Sequence, residues 1–196
     1  MSHACVCMIF GSRRTSRKER HSRSAVPTAG HRAGWSLLYY YAEMRLFEQP
    51  GTLQQFRRTT WEFQQTFHTP LKDLPHFVDV IVSALPATDA AQAVFQQVVF
   101  EPRYGLVPLY AKHSLPQKWY GDNVTIEAQS ALEAHELLQA VLSEWIDFLF
   151  VPTPKPFVIY ADHDEYITFL AHRKGQLAGV VEPLIGAKFT TVKYEL

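Results

Sequence analysis

Hydrophobic positions first fall into a clear rhythm after residue 52. Leu53, Phe56, Phe63 and Phe67, with Thr60 in the same stripe, recur every three or four residues. That spacing predicts one amphipathic helix stopped by Pro70. Thr52 and Gln55 have capping-box spacing at its start. From Leu74 to Leu85 two periods compete. Val78, Val80 and Val82 alternate like a strand, whereas Leu74, Phe77, Val78, Ile81 and Leu85 share a helical face. Asp73 before Pro75 resembles a helix entry, which tips the reading toward helix. Thr88-Asp89 resembles a further cap, with Ala90, Ala91, Val94, Phe95 and Val98 on one face of a helix behind it.

Residues 101–123 are punctuated by Pro102, Pro108, Pro116 and Gly121. They read as loop with a short strand at 106–111; a second short strand is expected at 124–128. Ser130 and Glu133 form another capping box. The apolar face behind it, from Ala134 through Leu137, Leu138, Val141, Leu142, Trp145 and Ile146 to Leu149, predicts a long helix. The run Pro152-Thr153-Pro154-Lys155-Pro156 ends it.

Phe157 to Tyr160 is a continuous apolar run, as in a strand buried on both faces. A helix carrying Tyr166, Leu170, Leu177, Val181 and Leu184 is expected next, ended by Gly186, and residues 189–194 alternate like a half-exposed strand. The class that results is α+β, with several helices packed on a small sheet of three to five strands. Its last part, about 156–195, reads as a strand-helix-strand unit. A right-handed parallel crossover suits that unit, and an antiparallel return remains open.

Composition changes this picture mainly at the N-terminus. Of 196 residues, 47% are hydrophobic and 13% aromatic, ample for a core. The 19 basic and 19 acidic side chains balance overall, but unevenly. Residues 1–43 hold seven basic residues against Glu19 and Glu43, leaving twelve basic and seventeen acidic residues for 44–196. The first segment therefore reads as a disordered basic leader or an extended start upstream of Met44. One globular domain is expected from 44 to 196. An acidic body lacks the cationic face that duplex nucleic acid requires. No stretch reaches the roughly 18–20 apolar residues of a membrane span. Cys5 and Cys7 are the only cysteines, so a disulfide framework is not expected and a reducing, cytoplasmic setting is. As a metal signal the Cys-x-Cys pair is weak.

Candidate chemistry concentrates in Asp162-His163-Asp164-Glu165, at the exit of the apolar run. Three carboxylates and an imidazole could supply a general base or metal ligands. A helix start explains most of them without catalysis. Asp162 suits an N-cap, Glu165 the capping-box position, and Asp164 the positive end of the helix dipole. His163 is the member that capping does not explain. Glu133-Ala134-His135-Glu136 lacks the second histidine of a zinc-peptidase helix, and reads as a solvated face, with His135 a candidate neighbour of His163. A third group, Tyr104, His113, Trp119, Tyr120, Asp122 and Asn123, lies in an aromatic loop suited to binding a partner or to closing over the core. Phosphate-binding, dinucleotide-binding and nucleophile-elbow motifs are absent.

The leading expectation is a small soluble binding or regulatory module that acts through a protein surface and needs no cofactor or metal. Tyr104, His113, Trp119 and Tyr120 are its candidate contacts. One alternative is a hydrolase-like or metal-dependent enzyme centred on Asp162, His163 and Asp164, with His135 or His113 assisting. The other is a structural subunit of a homo-oligomer.

Overall fold

The computed structural model describes residues 43–87, 90–120 and 123–194. Residues 1–42 with both cysteines, the Thr88-Asp89 cap and Asp122 lie outside the described residues. The class is α+β, and its sheet is larger than the sequence suggests: eight strands, every neighbouring pair antiparallel. In chain order the elements are β1 (Arg45–Glu48), α1 (Thr52–Arg58), β2 (Phe63–His68), α2 (Leu74–Ala84), β3 (Ala90–Val98), α3 (Leu106–Lys112) and β4 (Val124–Ala128). Then come α4 (Ala131–Leu142), β5 (Ile146–Thr153), β6 (Val158–Ala161), β7 (Tyr166–Ala171), α5 (Lys174–Gly186) and β8 (Thr191–Val192). Across the sheet the order is β1-β4-β3-β5-β6-β7-β2-β8.

Alternation along the strands makes two faces. Ala91, Ala93 and Phe95 of β3, Ile146, Phe148 and Phe150 of β5, Ile159 and Ala161 of β6, and Ile167 and Phe169 of β7 join the main core. Over them lie α2, α4 and α5, with α2 touching both of the others. On the opposite face a smaller cluster of Leu53, Val94, Leu149, Val158 and Leu170 packs with Phe56, Trp61, Val151 and Tyr160. The seven-residue α1 brings Leu53 and Phe56 to it.

Several elements differ from expectation. The helix from Thr52 ends at Arg58, where the Thr59 hydroxyl donates to the Gln55 carbonyl at 2.8 Å. Its start has no side-chain cap, so the Thr52–Gln55 box does not form. Residues 63–68 are instead a strand paired along its length with β7. Phe63 and Phe67 satisfy a period of two as well as one of four, and six ladder positions decide between them. Residues 74–84 are helical, as the Pro75 entry suggests.

The helix expected at 90–98 is a central strand. Its register shifts between Phe95 and Gln97, an irregularity that breaks the alternation and lets the segment imitate a helical period. Residues 106–112 form a helix, not a strand. The helix from Ser130 stops at Leu142, seven residues early, because 146–153 enters the sheet between β3 and β6. Half of its capping box forms as expected, with Ser130 Oγ accepting the Glu133 amide at 3.2 Å, while Glu133 reaches one residue further back and accepts the Gln129 amide at 2.6 Å.

The C-terminal unit is strand, strand, helix, strand. Residues 166–171 alternate within an antiparallel hairpin with β6, and α5 begins only at Lys174. No parallel crossover forms, because β8 returns to the sheet edge against β2.

Candidate functional site

The β6–β7 hairpin places the acidic tetrad in a tight turn, so residues 162–165 do not start a helix. Asp162 donates its amide to the Tyr166 carbonyl at 3.0 Å. Its Oδ1 accepts the amides of Asp164 at 3.0 Å and Tyr166 at 3.1 Å. Asp162 is therefore a cap, but of a three-residue loop. Glu165 takes the left-handed position of that loop, φ 66°, where glycine is the usual occupant. A residue with a Cβ costs about 1–2 kcal/mol there. Glu165→Gly is accordingly expected to raise stability by about 1 kcal/mol, read as an increased denaturant midpoint at unchanged slope.

His163 gains a structural partner that the tetrad alone does not reveal. Asp147 interrupts the apolar run of β5 and points to the sheet face opposite Ile146 and Phe148. Its Oδ1 accepts both the His163 amide at 2.8 Å and Nδ1 of the His163 ring at 2.7 Å. The Asp147 side chain is 8% exposed and the imidazole 33%. A buried carboxylate is costly unless bonded, and the turn supplies both donors. A lone acid inside Ile146–Val151 is the sequence signal that could have found this pair.

The bond to Asp147 raises the His163 pKa above its ordinary 6.5, partly opposed by desolvation and helped by the charges of Asp147, Asp164 and Asp162. A raised folded value means the pair stabilises the fold fully below the ordinary pKa. That stabilisation is lost as pH rises through the raised value. In a titration of the His163 ring resonance, Asp147→Asn is expected to return the midpoint toward the ordinary value. An unchanged midpoint would show that Asp147 does not set it.

Around the turn lies a small cleft of about 40 Å³, lined by the ends of several elements. Thr69 and Leu71 follow β2. Ser143, Glu144 and Trp145 join α4 to β5. Asp162, His163 and Glu165 close it from the hairpin. At its edge Leu71 is 50% and Trp145 42% exposed, and Phe100, 61% exposed, stands edge-on to Trp145 at 6.2 Å. Glu144 does not share the free charge of the turn. Its carboxylate receives the amides of Arg103, Tyr104, Gly105 and Leu106 at 2.7–3.2 Å, which caps α3 and anchors the segment carrying Phe100. Burial raises the Asp162 pKa, and the two amides it accepts oppose that. Tyr194, stacked on Tyr166 at 5.0 Å, is raised by burial and by Asp162.

Asp147 and His163 have the geometry of a dyad in which a carboxylate orients an imidazole that moves a proton. Of the hydroxyls lining the cleft, Ser143 Oγ is turned away from it and donates to the Ala140 carbonyl at 2.7 Å, back into its own helix. Among the described residues no group of three or more His, Cys, Asp or Glu side chains is placed to hold a metal ion. No helix among them is long and apolar enough to cross a membrane.

The other sequence candidates are dispersed. His135 bonds Asp79 of α2 at 2.8 Å and does not line the cleft. His113 lies 3.2 Å from Glu136 and 3.9 Å from Glu133, an ion-pair position between α3 and α4. Trp119 is buried edge-on against Tyr110 at 5.3 Å, so it closes the core and offers no stacking surface. Tyr104 and Tyr120 are exposed. Sequence reasoning missed Asp147, Leu71, Phe100 and Trp145. Compared with known proteins, the chain matches no family model, no curated protein and no solved structure.

Proposed function

We propose that this chain is a binding module whose exposed apolar edge, Leu71, Phe100 and Trp145, packs against an apolar residue of a protein partner, with partner lysines or arginines against Asp162, Asp164 and Glu165. One observation carries this reading. Exposed Leu71 and Trp145 line the small cleft, exposed Phe100 stands against Trp145, and the turn beside them has three acids and no cation except the paired His163. Exposed apolar groups beside one sign of charge are the makings of an interface anchor with a complementary rim. The excess of acidic over basic residues in 44–196 would steer a basic partner toward this body.

The test uses a short peptide with a leucine flanked by lysines, and its glutamate counterpart. Saturable, salt-weakened binding of the lysine peptide is expected. Asp164→Lys with Glu165→Lys should weaken it about tenfold or more. Equal binding of both peptides, or no effect of the double charge reversal, would sink the reading. The hydrolase-like reading is second, carried by the 2.7 Å Asp147–His163 bond. His163→Gln would abolish a hydrolytic activity, whereas peptide binding should survive it.

A further inference from the structure

The opposite sheet face holds a second concavity. A groove of about 400 Å³ is lined by Phe56, Arg57 and Thr59 of the α1 region, Trp61 and Gln64 before and within β2, Gln96 of β3, Tyr160 of β6 and Leu170 of β7. It exists because three helices cover the other face while α1, only seven residues long, covers part of this one. Its size falls in the usual range for small-molecule sites, roughly 300–1,000 Å³.

The chemistry of the walls is specific. Three rings cluster: Phe56 lies 5.8 Å from Tyr160 with planes 13° apart, and 5.8 Å from Trp61. Trp61 stacks on His172 at 4.7 Å, and Lys155 Nζ stands 5.4 Å from the centre of its ring. The one charged residue of the lining is Arg57, although Asp147 and Asp162 lie close enough to act on the Tyr160 hydroxyl at its far wall. Arg57 has no ion-pair partner among the described residues. It acts electrostatically on the Tyr160 hydroxyl, whose pKa is pushed up to about 12 mainly by burial, then by Asp147 and Asp162, with Arg57 opposing. Desolvation lowers the pKa of Lys155, so an anion near it would be favoured. Lastly, Trp61 Nε1 is buried with no acceptor, and such donors are rare in proteins.

We propose that this groove is a binding site for a small planar aromatic anion such as an arylcarboxylate. Its ring would lie against Phe56, Trp61 and Tyr160, and its charge would meet Arg57. Gln64 and Gln96 would offer amide hydrogen bonds at the rim. The groove shares no lining residue with the cleft at the acidic turn, and the charged side chain in its lining is cationic. One module would then carry a cationic small-ligand groove on one face and an acidic protein-binding edge.

The test titrates the full chain with 2-naphthoate, 2-naphthamide and cyclohexanecarboxylate, reading heat and the tryptophan indole N–H resonances, with Trp61→Phe assigning its own signal. Naphthoate is expected to bind saturably, with the neutral amide and the non-aromatic acid each several-fold weaker. Arg57→Gln should weaken naphthoate about tenfold. Trp61→Phe should weaken it too, because the largest ring of the platform is reduced. Equal binding of naphthoate and naphthamide, full affinity in Arg57→Gln, or no saturation at low-millimolar naphthoate would each overturn the proposal.

Discussion

Gly105→Ala is expected to cost about 3 kcal/mol, near the top of what overpacking does at a site with no room to relax. A Cβ at residue 105 would lie 2.2 Å from Ser143 Oγ, 2.5 Å from the Ala140 carbonyl oxygen and 2.6 Å from the Ala140 Cα. Two of those atoms are backbone of α4, so a rotamer change cannot relieve the contact. Gly105 has φ −100°, which any residue adopts. The requirement is purely for closeness. That closeness lets the chain before α3 lie on the end of α4, where Glu144 collects its amides. Chemical denaturation measures the loss. Gly179→Ala is the control: it sits inside α5 with nothing within 4 Å of an added Cβ, and alanine there should stabilise by about 0.5–1 kcal/mol. A Gly105→Ala protein as stable as wild type would mean the loop does not pack on α4 as described.

The second large effect is expected at Glu144. Its carboxylate accepts four consecutive amides, two of them part-buried. Hydrogen bonds to an ionised group contribute more than neutral ones, about 1.5–3 kcal/mol. Water can replace the carboxylate at Arg103 and Tyr104 more easily than at Gly105 and Leu106, so Glu144→Ala should cost about 2 kcal/mol in total. Glu144→Gln keeps an acceptor oxygen and the side-chain length, and should cost about half as much. The alanine variant should also loosen the segment that holds Phe100 against Trp145. Faster amide exchange at 103–106 would report that directly. Because Gly105 and Glu144 serve one contact, the losses in the double variant should fall short of their sum. Full additivity would separate them.

Much of the fold is readable from local pattern where one period dominates. Ser130 and Glu133 cap a helix, Val124–Ala128 and Val158–Ala161 are apolar runs that pair in the sheet, and Pro75 opens α2. Reading fails where two periods coincide. Phe63 and Phe67 fit either element, and at β3 the bulge between Phe95 and Gln97 disguises the alternation. In both places a ladder partner distant in the chain settles the outcome, β7 for β2 and β5 for β3, and local pattern carries no trace of it.

The site follows the same logic. The tetrad at residues 162–165 is conspicuous, yet it reads as a helix cap because aspartate caps turns and helices by the same bond to a following amide. Asp147 was legible as a lone acid in an apolar run. The exposure of Leu71, Phe100 and Trp145 was not, since it depends on where α4 ends and how the chain crosses to β5.

Glu165 links stability to the proposed role. A residue kept in a left-handed conformation against a gain of about 1 kcal/mol suits a surface where the side chain is needed. Glu165→Gly should therefore be more stable and bind a basic peptide less tightly.

The most direct measurement is a chemical-shift map of the wild-type chain titrated with the lysine-flanked leucine peptide. The expected result is saturable perturbation centred on Leu71, Trp145 and residues 162–165, absent with the glutamate peptide. Perturbations that fall elsewhere, or that appear equally with both peptides, would contradict the assignment of the acidic turn as a docking site.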